Sequence, residues 1–110
     1  MLQRYNKLVR DNVPAAIQKT GAIPHYSLAE NDETFFFKLK EKLQEEFTEF
    51  VKSESMESMA EIFELLEAIC KVKGFDFGEL QAIRENKNIG EGTYSGRIIL
   101  EEIEEIKKHI

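Results

Sequence analysis

Lys42-Leu43-Gln44-Glu45-Glu46-Phe47-Thr48-Glu49-Phe50 and, after a short polar turn, Glu57-Ser58-Met59-Ala60-Glu61-Ile62-Phe63-Glu64-Leu65-Leu66 are the two stretches that decide the fold. In the first, apolar residues recur at spacings of three and four. The row Phe36, Leu39, Leu43, Phe47, Phe50 predicts a helix over roughly residues 31–52. In the second, Met59, Ile62, Phe63, Leu66, Ile69 and Cys70 predict another over roughly 55–73, ended by Gly74. The turn at 53–55 is too short for anything but an antiparallel hairpin. At about 100° per residue, with Phe47 at zero, the first apolar arc runs from about −80° at Leu39 to about +40° at Val51. Glu46 falls at about −100° and Glu49 at about −160°. With Ile62 at zero on the second helix, Glu61 falls at about −100°, Glu57 at about −140° and Glu64 at about −160°. Equal offsets on two antiparallel helices packed face to face point to the same side of their seam. Positions 46 and 61 are equidistant from the turn, as are 49 and 58. Three or four carboxylates are therefore expected at one edge of the seam.

Such a cluster is self-repelling, and partial desolvation would raise its pKa values unless a cation sits among the oxygens. Carboxylates with no His or Cys beside them suit Mg²⁺ or Mn²⁺ rather than Zn²⁺. Glutamates at helical spacing also make ordinary solvated faces, and Lys38, Lys42 and Lys52 are available to neutralise this one. Lys40 falls inside the apolar arc, so that arc must change partners near the helix start.

Outward from the hairpin, Asp11 is placed to cap a short helix over about 12–20, with Pro14 in its first turn and Gly21 at its end. Residues 23–28, around Pro24, read as extended. A third clear helix is predicted over about 77–88, with Asp76, Glu79, Phe75 and Leu80 placed for a capping box and staple. Residues 88–96 read as a loop. Residues 97–100 read as a short strand able to pair with 23–28, and 101–110 as a charged helical end.

The chain has 110 residues, of which 15 are Lys or Arg and 21 Asp or Glu, a net charge of −6. One domain, residues 1–110, is expected at this length. The acidic balance disfavours nucleic acid or an anionic membrane as partner, since both need clustered positive charge. Three Asp against eighteen Glu leans the composition toward helix. The single cysteine, Cys70, excludes an internal disulfide and a Cys-rich zinc site. The charged start shows no signal peptide and no apolar run is long enough to span a membrane, so a cytoplasmic location is expected. Glycines 90, 92 and 96 are not followed by Lys-Ser/Thr and do not make a P-loop. The fold class is all-α, with a minor two-strand element allowed. The long apolar faces on so short a chain ask for a second copy, completing a four-helix bundle.

Four segments in order resemble the all-α nucleoside triphosphate pyrophosphohydrolases of the MazG and phosphoribosyl-ATP pyrophosphohydrolase superfamily, in particular its small members that begin YNKLVRDKIP. The segments are Tyr5-Asn6-Lys7-Leu8-Val9-Arg10-Asp11-Asn12-Val13-Pro14, the two hairpin stretches, and Glu91-Gly92-Thr93-Tyr94-Ser95-Gly96-Arg97-Ile98-Ile99-Leu100-Glu101-Glu102. The resemblance implies dimerisation and Mg²⁺-dependent hydrolysis of a nucleotide between its α and β phosphates, giving a monophosphate and pyrophosphate. It implies a metal motif, ExxE then ExxD. The first half falls on Glu46 and Glu49. In the second half the Glu falls on Ser58 and the Asp on Glu61, so one ligand is missing, with Glu64 one turn on to contribute instead. Glu45 or Glu49 would take the proton of the attacking water, and Lys42, Lys7, Arg10 and Arg97 would hold phosphates. The missing ligand keeps open a second possibility, a catalytically weakened relative that serves as a nucleotide-binding or helix-interaction module.

Overall fold

In a computed structural model describing residues 1–107, the chain forms four helices: α1 Val13–Lys19, α2 Asp32–Ser53, α3 Met56–Lys73 and α4 Phe77–Glu91. It divides into two compact units, Met1–Asp76 and Phe77–Ile110.

The first unit is built on the α2–α3 hairpin, which supplies the dominant helix–helix pairing. Its ends follow from its sequence. The Asn31 side chain accepts from the Thr34 N–H at 2.8 Å, and Asp32 and Glu33 place negative charge on the first turn of α2. Glu54 takes up a left-handed conformation, φ +50, and closes α2 through a 2.7 Å bond from its N–H to the Phe50 carbonyl. Ser55 then caps α3 by accepting from the Ser58 N–H. Two residues thus reverse the chain, and the helices run antiparallel. At the far end Gly74, φ +69, donates to the Lys71 carbonyl while Phe75 donates to Cys70, the paired bonds that satisfy a helix C-terminus.

The seam does not lie along the row predicted from the sequence. Leu39 (2% exposed), Leu65 (8%) and Ser58 (7%) are its buried residues, flanked by partly buried Leu43, Glu46, Phe50, Ile62 and Ile69. Phe47 and Phe63, at the centre of the predicted rows, are 58% and 66% exposed. On α2 the buried stripe is turned about 80° from Phe47, toward Glu46. The reason is geometric. Each apolar arc is wider than one partner helix can cover, so a lone hairpin buries one edge of it. The uncovered part, with Phe47 and Val51 on α2 and Phe63 and Leu66 on α3, lies on one side of the hairpin. The carboxylate flank lies on the other. Lys40, which fell inside the arc, is accounted for: its ammonium and that of Lys73 each stand 4.6 Å from the Phe36 ring centre.

Several local expectations are corrected. Helix α1 starts after Asn12 rather than Asp11, and no side chain caps it. Helix α4 continues through Glu91, so residues 88–91 are helical, and Gly92 (φ +87) follows it. Among the described residues there is no strand at 23–28 or 97–100. A two-stranded ribbon is marginal by itself, and Pro24 removes one of its donors. Residues 101–107 form no helix, because Glu101 repels Glu104 and Glu105 at helical spacing in a segment too short to nucleate. The last three residues of that expected helix lie outside the described residues. Among the described residues no helix is long and apolar enough to cross a membrane.

Candidate active site

Residues 5–10, which carry no regular secondary structure, are tied to the hairpin at Lys38, Glu45 and Glu61. Three contacts pin them. Asn6, held at φ +51, offers its carbonyl to the Lys38 ammonium at 2.9 Å. Lys7 pairs with Glu45 at 3.2 Å. Arg10 forks onto Glu61 of α3, its Nη2 donating to Oε1 at 2.8 Å and its Nε to Oε2 at 3.3 Å. Lys42 stands 3.6 Å from Glu45 and 3.7 Å from Glu46. Of the cations expected to hold phosphates, Lys42 and Arg10 are thus found on Glu46 and Glu61, two of the expected metal ligands, and Lys7 on Glu45, so at these three carboxylates attraction replaces the predicted self-repulsion.

Between residues 5–8 and α2 lies a cleft of about 390 Å³, within the range of small-molecule sites. Lys7, Lys38 and Lys42 line it together with Tyr5, Glu45 and Thr48. Tyr5, Lys38 and Thr48 escaped the sequence analysis as site residues. The available signal was the spacing of Lys38 and Lys42, which places both ammoniums on one face of α2.

Of the proposed metal ligands, Glu46 is the most protected, with its side chain 17% exposed beside the seam. Glu49 and Glu64 are exposed and form no ion pair among the described residues. No three Asp, Glu, His or Cys side chains among the described residues stand close enough together to hold a metal ion. The donor type, carboxylate oxygen from both helices of the hairpin, is the one a hard cation takes, but the side chains as placed do not gather around one point. Arg97 belongs to the second unit, in a left-handed conformation (φ +56), with its N–H bonded to the Tyr94 carbonyl at 3.1 Å.

Ser58 is buried, and its hydroxyl is bonded to two other hydroxyls. It lies 3.2 Å from the Ser53 hydroxyl and accepts from that of Ser55 at 3.1 Å, while Ser53 donates to Ser55 at 3.1 Å. If Ser58 donates to Ser53, the three protons run head to tail around a closed triangle at the hairpin turn.

Hydrogen bonding from Lys7 holds the Glu45 carboxyl below its usual range, aided by the charge of Lys42 and opposed by desolvation. A depressed folded-state pKa means that this stabilisation is present above the unfolded value and is lost as pH falls through the folded one. Lys7→Gln should therefore raise the Glu45 pKa and lower stability at neutral pH but not in acid. A carboxyl-carbon NMR titration of Glu45 in both proteins reads the first effect.

Compared with known proteins, the chain matches no family model, no curated protein and no solved structure.

Proposed function

We propose that the chain is a Mg²⁺- or Mn²⁺-dependent nucleotide pyrophosphohydrolase of the MazG-like kind. It would cleave a nucleoside triphosphate or related nucleotide at the α–β anhydride and release a monophosphate and pyrophosphate. The observation that carries the proposal is the cleft itself, in which Lys7, Lys38 and Lys42 stand with Glu41 and Glu45, Lys42 reaching on to Glu46 outside it. Phosphates are what clustered ammonium groups bind, and carboxylates beside them supply cation ligands and a proton acceptor. The order of the four family-like segments supports the same assignment.

Glu46, Glu49 and Glu61, with Glu64, would hold the cation. Bound there, a divalent ion supplies neutralisation of phosphate charge and a more acidic water. The chain's own groups do the rest. Lys7 and Lys42 leave Glu45 for phosphate oxygens, and Arg10 offers its fork to another phosphate. Losing Lys7 has a second effect: the hydrogen bond that depresses the Glu45 pKa disappears, so the carboxylate becomes a better base as the substrate is seated. Glu49, with no ion pair among the described residues, is the other candidate for the proton.

The bare apolar side of the hairpin is assigned to a second copy, forming a four-helix bundle. Phe47, Val51, Phe63 and Leu66 form a two-helix patch of the kind a partner pair would bury. Light scattering should give a dimer mass at micromolar concentration and a monomer for Phe63→Glu. A monomeric wild type would contradict the assignment.

A second possibility is a nucleotide-binding module without turnover, favoured by Ser58, whose hydroxyl is tied into the serine triangle. Incubating the protein with NTPs, dNTPs and phosphoribosyl-ATP plus Mg²⁺ or Mn²⁺ separates the two. Pyrophosphate release supports the hydrolase. Thermal stabilisation by nucleotide and cation without release supports the module, and neither effect leaves only a helical scaffold.

A further inference from the structure

We propose that residues 5–8 and α2 form an anion clamp: without any divalent cation, an oligophosphate chain takes the place of Glu45 between Lys7 and Lys42 and draws the segment onto the helix. This rests on the reading of Lys7 and Lys42 as phosphate ligands, but it needs neither a cation nor turnover.

Among the described residues Glu45 alone joins a lysine of α2 to a lysine outside it, Lys42 at 3.6 Å and Lys7 at 3.2 Å. It therefore stands where an anion shared by the two would stand. Its side chain is half-exposed, so it can turn to water when a more highly charged anion arrives. The Lys42 ammonium lies 3.6 and 3.7 Å from Glu45 and Glu46, attracted but beyond hydrogen-bond length, so its donors are available to nearer oxygens. Lys38 gives one donor to the Asn6 carbonyl at 2.9 Å, which fixes its ammonium in the wall of the same cleft. Ammonium groups bind phosphate as point charges, and a phosphoryl group brings more charge and more oxygens than one carboxylate. The cleft of about 390 Å³ has the size of a small-molecule site, so a chain of phosphates rather than a single one can reach all three lysines. Tyr5 lines the same cleft and is exposed, which offers a ring for the base of a nucleotide to stack on. Held between Lys7 on one side and Lys38 and Lys42 on the other, the chain adds a tie between residues 5–8 and α2.

Pyrophosphate and ADP are titrated calorimetrically, in EDTA and at constant ionic strength, into wild type, Lys42→Gln, Lys38→Gln, Glu45→Gln, Tyr5→Ala and, as a control for net charge, Lys19→Gln. Amide hydrogen exchange of residues 5–8 is followed with pyrophosphate and with NaCl of equal ionic strength. Pyrophosphate should bind wild type, and bind Lys42→Gln about tenfold or more weakly. Lys38→Gln should also weaken it and Lys19→Gln should match wild type. Glu45→Gln should bind about two- to fivefold more tightly, since the competing ion pairs are gone. Pyrophosphate should slow exchange in residues 5–8, whereas NaCl, which only screens, should speed it. ADP binding more tightly than pyrophosphate, with the gain lost in Tyr5→Ala, identifies the ligand as a nucleotide; ADP binding no more tightly identifies it as the phosphate chain alone. If pyrophosphate binds wild type and Lys42→Gln equally, or speeds exchange as NaCl does, the clamp is wrong. Absence of binding in EDTA overturns it too: binding restored by Mg²⁺ then leaves the hydrolase reading standing, while no binding with Mg²⁺ and no pyrophosphate release from NTPs removes both.

Discussion

Glu46→Gln and Glu61→Gln should each lower the proposed pyrophosphohydrolase turnover by about a hundredfold or more, equivalent to about 3 kcal/mol of transition-state stabilisation. Each substitution keeps shape and polarity and removes one anionic oxygen donor, so the loss should follow the cation: weaker Mn²⁺ binding and partial rescue at high Mn²⁺. Repulsion among bare carboxylates would make either change stabilise the cation-free fold. The ion pairs reverse that expectation. Glu46 faces Lys42 and Glu61 faces Arg10, so each substitution removes an attraction. These pairs are partly exposed and screened, so the cation-free protein should lose at most about 1 kcal/mol. A large loss of activity with a nearly unchanged melting temperature is the signature of a ligand rather than a structural ion pair.

Ser58→Glu should have the second largest effect, and in two opposite directions. In the MazG-like pattern that the sequence resembles, a metal-binding Glu stands at this position. In the structure it is buried at 7% exposure, inside the hydroxyl triangle with Ser53 and Ser55. A carboxylate there disrupts the triangle and is desolvated, which should destabilise the cation-free protein by about 1–3 kcal/mol. With Mn²⁺ present the same carboxylate has a partner. Binding should tighten by about tenfold or more, and turnover should rise. Ser58→Ala separates the two causes: it also opens the triangle but adds no ligand. Denaturant midpoints with and without Mn²⁺ check both. If Ser58→Glu is destabilised equally in the two conditions, position 58 does not face the cation.

The hairpin, its boundaries to within a residue or two, the end of α3 at Gly74, and the side of the helices that bears the carboxylates were all legible in the sequence. Each is a consequence of local chemistry or of helical period. The orientation of the seam was not. Apolar periodicity marks every residue that prefers to leave water, whichever partner covers it, and so merged the stripe around Leu39 and Leu65 with the exposed one around Phe47 and Phe63. Glu46 and Glu61 were identifiable by type and spacing, Lys7, Arg10, Lys42 and Glu45 only through the family resemblance, and the structure joins them in ion pairs. Their pairing was not legible. It depends on a fold-back that sets Arg10 against a residue 51 positions away, and residues 5–10 carry no periodicity to announce it. The strand pair failed for a related reason: residues 23–28 and 97–100 have the composition of short strands but nothing local to bring them together.

Phosphorus NMR of a nucleoside triphosphate incubated with the wild-type protein and Mg²⁺ tests the central claim most directly, because it identifies which anhydride is broken. The two products of α–β cleavage, pyrophosphate and the nucleoside monophosphate, should grow in equal amounts for at least one member of an NTP and dNTP panel, and should be absent with Glu46→Gln. Orthophosphate and diphosphate nucleotide as the products, or no change across the whole panel with either Mg²⁺ or Mn²⁺, would contradict it.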